Sequence, residues 1–239
     1  MHTTKAMLVG VAALLAAPIA HGASNSTADN AKTLNKATAV LTEIRNMQDK
    51  NIPDNVWNKA ECVVVIPGMK KAGFIVGGEF GEGVMSCRRG AAWGPPVFMQ
   101  LAKGSAGLQA GFSSTDLVLL VMNRQGVEKL LNNKVTLGGD ASIAAGPVGR
   151  TASAATDAQM TAEMLSYSRS KGLFAGIDLS GGTLKPDKDA NAVMYGAANA
   201  RDIALGTTRV AMTAEGQAFT TALGQGARAT TGVKPKSRY

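Results

Sequence analysis

The chain has 239 residues and a formal net charge of +8, from 25 lysines and arginines against 17 aspartates and glutamates. Both histidines, His2 and His21, lie in an N-terminal stretch typical of a secretory signal, so the mature chain contains none. This excludes a Ser-His-Asp triad, a Cys-His pair and the usual zinc sites. The positive charge suits an anionic partner such as a phospholipid surface, peptidoglycan or nucleic acid, and solubility alone would also account for it.

Residues 1–23 are predicted to be a secretory signal, with a basic start at Lys5, an apolar run and small residues before the cleavage point. The apolar run is too short to span a membrane comfortably. We therefore expect a soluble, exported protein of a bacterial periplasm, which could be peripheral on a membrane. Residues 24–224 would form one domain, and residues 225–239 a basic, disordered tail.

The first predicted element of the mature chain is a helix over Asp29–Asp49. Its apolar residues recur at steps of three and four, namely Leu34, Ala37, Leu41, Ile44 and Met47. Lysines and arginines surround this stripe. A basic amphipathic helix can lie on a membrane interface, or it can dock on its own sheet. Pro53 then opens a short second helix.

The stretch Lys71–Cys87, KAGFIVGGEFGEGVMSC, dominates the next part of the chain. Taken two residues at a time, one side is bulky and the other is nearly bare glycine. The bulky side, predicted to face the core, carries Phe74, Val76, Phe80 and Val84. The pattern predicts a β-hairpin or bent strand that another backbone approaches closely, with a bulge or turn at Gly81–Gly83. The strand before it, CVVVIP, is predicted to end at Pro67-Gly68.

Cys62 and Cys87, the only cysteines, flank this stretch. An even pair in an oxidising compartment usually bonds. A bridge would tie the strand that enters the hairpin to the strand that leaves it, and loop entropy gives it roughly 3–4 kcal/mol. Two buried thiols are the alternative.

The remaining elements predict a single α+β domain. Strands are expected at VFMQL, LVLLVM, MLSYSRS and Leu173–Leu179, and LVLLVM is apolar on both faces, as a central strand is. Helices are expected at Gly126–Asn132, at Asp187–Tyr195 and at Ala211–Leu223. The sheet would be curved, glycine-rich and mainly antiparallel, curling towards a barrel, with short helices flanking it.

Candidate metal ligands occur in one place. Asp187, Asp189 and Asn191 begin like a calcium loop, but Ala192 and Ala198 stand where such a loop needs glycine and glutamate. A capped helix start explains these acids better. No metal and no cofactor are expected.

Candidate catalytic groups are equally weak. Ser168 and Lys171 fit the short SxxK pattern without its companion motifs. Glu79 with Glu82, or Asp116 with Asp140, could act as acid and base only if the fold paired them. No catalytic residue is predicted, and the chain is not expected to be an enzyme. An unrecognised hydrolase stays a rival, and it would need Asp116, Asp140 and Tyr167 clustered around an exposed serine.

A series of motifs in order carries more information than any of these. CVVVIPGMKKAGFIVGGEFGEGVM is followed by WGPPVFMQL, GLQAGFSSTDLVLLVM, LGGDASIAAGPVGR, SYSRSKGLFAGIDLSGG and a DANAVMYG helix. The set resembles the SYLF domain, a lipid-binding family that is also labelled an actin-regulator domain in fungi. The resemblance covers roughly Ala31–Gly206, most of the mature chain.

The resemblance implies phospholipid binding, with no enzymatic activity and with an N-terminal amphipathic segment at the membrane. Carried over by position, this segment is residues 32–50. The residues implied near headgroups are Lys32, Lys36 and Arg45, and those implied near acyl chains are Leu34 and Leu41. Lys70 and Lys71 form a second basic candidate.

The chain departs from eukaryotic SYLF proteins in its signal and in lacking an attached Src-homology or zinc-finger module. Actin and phosphoinositides are not expected in a periplasm, so anionic phospholipids such as phosphatidylglycerol or cardiolipin would replace them. Nucleic acid is not expected as a partner. The alternative is a structural or stress-related envelope protein that binds another protein, and a salt series would separate the two.

Overall fold

The computed structural model describes residues 26–47, 52–73, 76–106, 113–132, 134–148, 161–170 and 173–225, and the account below concerns these residues. The predicted signal, the stretch 107–112 and the tail from residue 226 lie outside them.

The described residues form six helices and ten strands. The helices are α1 (Thr27–Asn46), α2 (Asp54–Trp57), α3 (Arg124–Asn132), α4 (Lys188–Tyr195), α5 (Ala200–Leu205) and α6 (Ala214–Gln225). The strands are β1 (Cys62–Gly73), β2 (Val76–Arg89), β3 (Ala92–Trp93), β4 (Val97–Ala106), β5 (Ser113–Val121), β6 (Val135–Thr136), β7 (Ile143–Ala145), β8 (Met164–Ser170), β9 (Leu173–Gly176) and β10 (Thr183–Pro186).

All ten strands belong to one curled sheet whose main path runs β6-β10-β4-β2-β1-β5-β8-β7, with β3 beside β2 and β9 beside β8. Among the described pairs, only β7 and β8 run parallel. The prediction of an α+β domain with a curved, mainly antiparallel sheet is therefore confirmed.

Both faces of the sheet are covered. Side chains alternate along a strand, so Val118 and Leu120 of β5 belong to one core cluster, while Leu117 and Leu119 belong to the other. Helices α1, α2 and α6 pack on the first face, and α3 and α5 pack on the second. This explains why LVLLVM is apolar on both faces: β5 lies between β1 and β8, near the middle of the sheet.

The strand predicted to stop at Pro67-Gly68 continues instead through a bulge. The register of β1 on β2 shifts between Val65 and Lys70, and Gly68 has a φ of 62°. Its N–H donates to the Asp116 carboxylate at 2.8 Å rather than to a neighbouring strand. A distant side chain thus satisfies the backbone at a point where local sequence predicted the end of the strand.

The glycines of β2 accommodate this bulge. A Cβ at Gly83 would lie 2.2 Å from the Val65 carbonyl oxygen and 2.8 Å from Ile66 Cα, and one at Gly81 would lie 2.5 Å from Ile66 Cγ2. The predicted close approach of another backbone is confirmed. However, the residues Gly81–Gly83 lie within β2 and form no turn, and the bulge they were expected to contain is on β1.

The predicted disulfide is present. Cys62 and Cys87 are directly opposite each other in the β1–β2 ladder and are bonded, with 4.0 Å between their Cα atoms. The bridge closes the hairpin at the end opposite its turn and ties the entering strand to the leaving strand, as expected.

Candidate functional site

The predicted contact helix, α1, is docked on the sheet by its apolar stripe. Leu34 and Leu41 are 1% and 2% exposed and belong to the core cluster that includes Val65 and Val84. Docking on its own sheet was the second of the two alternatives for this helix. The arrangement does not present either leucine to an acyl chain, because such contact would require α1 to leave the sheet.

Polar contacts also hold α1. The Asn30 side-chain amide donates to the Ala190 carbonyl at 3.0 Å, and Glu43 pairs with Arg169 of β8. Arg45 donates to the Ala222 carbonyl of α6 at 3.0 Å. Arg45 is therefore half-buried against α6, and its predicted position near headgroups would require this hydrogen bond to open.

The exposed side of α1 carries Lys32 and Lys36. These two residues and Glu43 are spaced by four and seven positions, which places all three along one stripe. Arg45, on the opposite side of the helix, faces α6, which packs beside β3 at the disulfide end of the sheet. The lysine stripe is consequently turned towards the other end, where the β1–β2 hairpin turns.

Lys70 and Phe80 lie at that end, directly opposite each other in the β1–β2 ladder. Side chains at facing positions of neighbouring strands project from the same face, so the ammonium group and the ring are neighbours. Phe80 is 47% exposed, and Lys70 is exposed with no ion pair within the described chain. We call Lys32, Lys36, Lys70 and Phe80 the Lys70–Phe80 surface.

Sequence reasoning placed Phe80 in the core, and this was wrong. Alternation assigned it correctly to the same face of β2 as Val84, which is buried. The core cluster on that face includes Val84 and does not extend to Phe80. How far a helix covers a strand depends on packing between distant segments, which alternation does not report.

Glu82 lies between Phe80 and Val84 on this face. Burial raises the pKa of its carboxyl above the ordinary value, and the nearby Asp187 and Asp29 carboxylates raise it further, while Lys70 opposes the shift. The negative charge of this carboxyl is thus disfavoured, whereas Asp29 on α1 lies 3.0 Å from the Lys32 ammonium group and pairs with it.

Lys71 occupies a different environment from Lys70. Its ammonium group lies 3.4 Å from the Glu79 carboxylate, and both side chains are partly buried. Consecutive strand residues point to opposite faces, so Lys71 projects away from the Lys70–Phe80 surface. The structure does not bring the two predicted lysines together.

The acids considered for catalysis are separated. Asp116 lies 2.5 Å from the Arg169 guanidinium and also accepts the Gly68 N–H, whereas Asp140 accepts the Thr136 N–H at 2.7 Å within a turn. The Tyr167 ring is fully buried, and burial raises the pKa of its hydroxyl. Each acid has a structural role, and the hydrolase constellation is not assembled.

Asp187 caps α4. Its carboxylate accepts the Ala190 N–H at 3.0 Å and a hydrogen bond from the Gln100 side-chain amide at 2.6 Å. The prediction that the DxDxN sequence forms a capped helix start is therefore confirmed. Over the described part of the chain, no group of three or more acidic, cysteine or histidine side chains could hold a metal ion.

A search for membrane-crossing helices among the described segments finds none with the length and apolarity that a bilayer requires.

Comparison with known proteins gives a consistent family. Residues 102–225, just over half of the chain, match the family described as "Ysc84: Las17-binding protein actin regulator". The chain is 36% identical over 152 residues to "LAS seventeen-binding protein 3" of Saccharomyces cerevisiae, covering 62% of this chain and 33% of that protein.

Vertebrate proteins are similar over a longer stretch. The chain is 33% identical over 181 residues to "SH3 domain-containing YSC84-like protein 1" of Xenopus laevis, covering 75% of this chain and 53% of the relative. The Mus musculus protein of the same name is 32% identical over 180 residues, with coverages of 74% and 52%. The chain thus spans about a third of the yeast relative and about half of the vertebrate ones.

Proposed function

From the premise that the chain belongs to the Ysc84 family of SYLF domains, we propose that it is a non-enzymatic protein that binds anionic phospholipid at a membrane surface. The Lys70–Phe80 surface would be its contact. The predicted N-terminal signal supports export, and the proposed setting of this activity is a bacterial cell envelope.

The observation that carries this proposal is the pairing of an exposed aromatic ring with an unpaired cation. Phe80 projects from the sheet directly opposite Lys70. A ring that enters the headgroup region beside a lysine that meets lipid phosphate is a common arrangement in peripheral membrane contact. Lys32 and Lys36 lie on the side of α1 turned towards the same end of the sheet and would add to the attraction.

The expected energies are modest and additive. Each lysine near an anionic surface contributes about 1 kcal/mol. Transfer of the exposed half of the Phe80 side chain from water contributes about 1 kcal/mol more. In this mechanism α1 stays docked and contributes its lysines, while Leu34 and Leu41 stabilise the fold.

Co-sedimentation of the chain from residue 24 with vesicles tests the proposal. Neutral phosphatidylcholine vesicles are compared with vesicles that contain phosphatidylglycerol or cardiolipin, at low and high salt. We expect binding to the anionic vesicles alone. It should weaken about fivefold in Phe80→Ser and more in Lys32→Glu/Lys36→Glu, and it should fall steeply with salt.

Matched controls separate the surface from general effects. Leu205→Ser removes another exposed apolar side chain, 38% exposed and beside the disulfide at the far end of the sheet. Lys59→Glu/Arg209→Glu makes the same change of charge at two other exposed residues. Loss of binding in these controls equal to that in the surface variants would contradict the assignment of the surface, and no binding to any vesicle would remove the lipid function.

A protein partner is the second candidate, and the names of the relatives favour it. "LAS seventeen-binding protein 3" is named for binding a protein, and the family description repeats that property. A structural or stress-related envelope protein of this kind would bind its partner through a surface whose affinity depends less on salt. Salt-resistant capture of one defined envelope protein, together with no vesicle binding, would support this candidate over the first.

A further inference from the structure

A cleft of about 660 Å³ opens at the edge of the sheet formed by β6 and β10. Its walls come from the end of α3, from Lys134 before β6, from the end of β10, from α4, and from the segment that joins α4 to α5. This size falls within the range of small-ligand sites. None of the predicted lipid-contact residues lines it.

The lining of the cleft is strongly positive. Four cationic side chains line it, those of Lys134, Lys185, Lys188 and Arg201, and among the described residues no carboxylate does. The three lysines are exposed, and none forms an ion pair within the described parts of the chain. The Arg201 guanidinium donates to the Asn132 side-chain oxygen. This hydrogen bond fixes the guanidinium between the end of α3 and the start of α5.

Acids that are close in sequence do not neutralise this charge. The buried Asp187 carboxylate is directed at Gln100 and at the N-terminal turn of α4, and Asp202 accepts a hydrogen bond from Thr207. On α4 the cleft is lined by residues 188, 191 and 192, and Asp189 is not among the lining residues.

Small side chains keep the cleft open between the cations. Ala192, Ala197, Ala198 and Ala200 line it, and Gly196, with a φ of 65°, ends α4 and lets the chain turn around the opening. A ligand could therefore enter between charged groups without displacing a bulky residue.

We infer that this cleft binds a ligand that carries more than one phosphate group. Four like charges around one partly enclosed space repel one another, and a compact polyanion removes that repulsion while it gains charge-assisted hydrogen bonds. A single phosphate would engage only part of the lining, because the cations come from three separate stretches of the chain, at residue 134, at residues 185–188 and at residue 201. The site does not require a membrane and is separate from the Lys70–Phe80 surface.

Inorganic tripolyphosphate is the probe, titrated by calorimetry and in thermal unfolding at low salt. We expect saturable binding that raises the melting temperature, since the ligand binds the folded state. In Lys185→Glu/Lys188→Glu the affinity should fall about tenfold or more. Lys59→Glu/Arg209→Glu, which makes the same change of charge at two exposed residues that do not line the cleft, should bind as the unmodified chain does. Absence of saturable binding, or equal loss in both variants, would overturn the assignment.

The source of the phosphate groups is decided by repeating the vesicle experiment with the cleft variant. If this variant loses both cardiolipin binding and tripolyphosphate binding, the ligand is a lipid headgroup. If it loses tripolyphosphate binding and still binds cardiolipin, the ligand is soluble. Failure of vesicle binding in every variant would remove the proposed membrane function and leave the tripolyphosphate result intact.

Discussion

Alanine substitution of glycines along β2 tests whether the backbone of the β1 bulge packs closely against the glycine face of β2. At Gly83 a new Cβ would meet the Val65 carbonyl oxygen and Ile66 Cα, both backbone atoms that cannot rotate away. At Gly81 it would lie 2.5 Å from the Ile66 Cγ2 methyl and 3.1 Å from Met69 Cβ, which are side-chain rather than backbone atoms, and at Gly78 it would meet nothing within 4 Å. The three sites share a strand and a substitution and differ in their surroundings.

The expected order of stability is Gly78→Ala, then Gly81→Ala, then Gly83→Ala. Overpacking against fixed backbone costs about 3 kcal/mol at Gly83, which corresponds to a fall of about 6–12 °C in the melting temperature. Gly78→Ala should be neutral or stabilise by about 0.5 kcal/mol, because alanine restricts the unfolded chain. Urea unfolding with the disulfide intact measures all three. Equal midpoints for Gly83→Ala and Gly78→Ala would refute the close approach.

Three further perturbations probe other contacts. Arg169→Met should lower the free energy of unfolding in urea by about 2–3 kcal/mol, because it leaves the half-buried Asp116 carboxylate without its ion pair. Arg124→Met breaks an exposed ion pair and should change stability by less than about 0.5 kcal/mol. Equal effects of the two substitutions would contradict this reasoning. Replacing Cys62 and Cys87 by alanine should cost about 3.5 kcal/mol for a separation of 25 residues, and an unchanged midpoint would contradict the loop-entropy argument. Because the pKa of Glu82 is raised in the folded state, its favourable contribution to the free energy of unfolding is fully present below the ordinary pKa of 4.5. This contribution is lost as pH rises through the folded-state pKa. Glu82→Gln should therefore be more stable than the unmodified chain at neutral pH and lose this advantage in acid, and a constant difference would contradict the shift.

Local patterns predicted the elements whose formation depends on nearby residues. The apolar run LVLLVM marked a central strand because only a strand covered on both faces tolerates such a run, and β5 is that strand. Asp187 marked the start of α4 because a cap acts within one turn, and the predicted end at Tyr195 is followed by Gly196, whose positive φ ends the helix. The six-residue α5 was missed because it is too short for a periodic pattern.

Features that join distant segments could not be predicted in this way. Pro67 and Gly68 read as the end of a strand, because nothing in the local sequence shows that Asp116 will satisfy the freed backbone. Phe80 was assigned to the correct face and to the wrong environment, since the limit of the covering helix is set by tertiary packing. The cationic cleft combines the end of α3 and Lys134 with residues of β10, α4 and α5 that come much later in the sequence, and each of its lysines taken alone looks like an ordinary surface charge.

The order of the strands bears on which part of the chain can fold by itself. The region that matches the family begins at residue 102, within β4, and so leaves out β1 and β2. Those two strands lie between β4 and β5 in the sheet, and strands from the second half of the chain are added on both outer sides, with β10 beside β4 and β8 beside β5. A fragment that starts at residue 102 would therefore hold two outer portions with no centre to join them. The start of the matched family region is not the boundary of an autonomous folding unit here, and excision at residue 102 should yield a chain that does not fold.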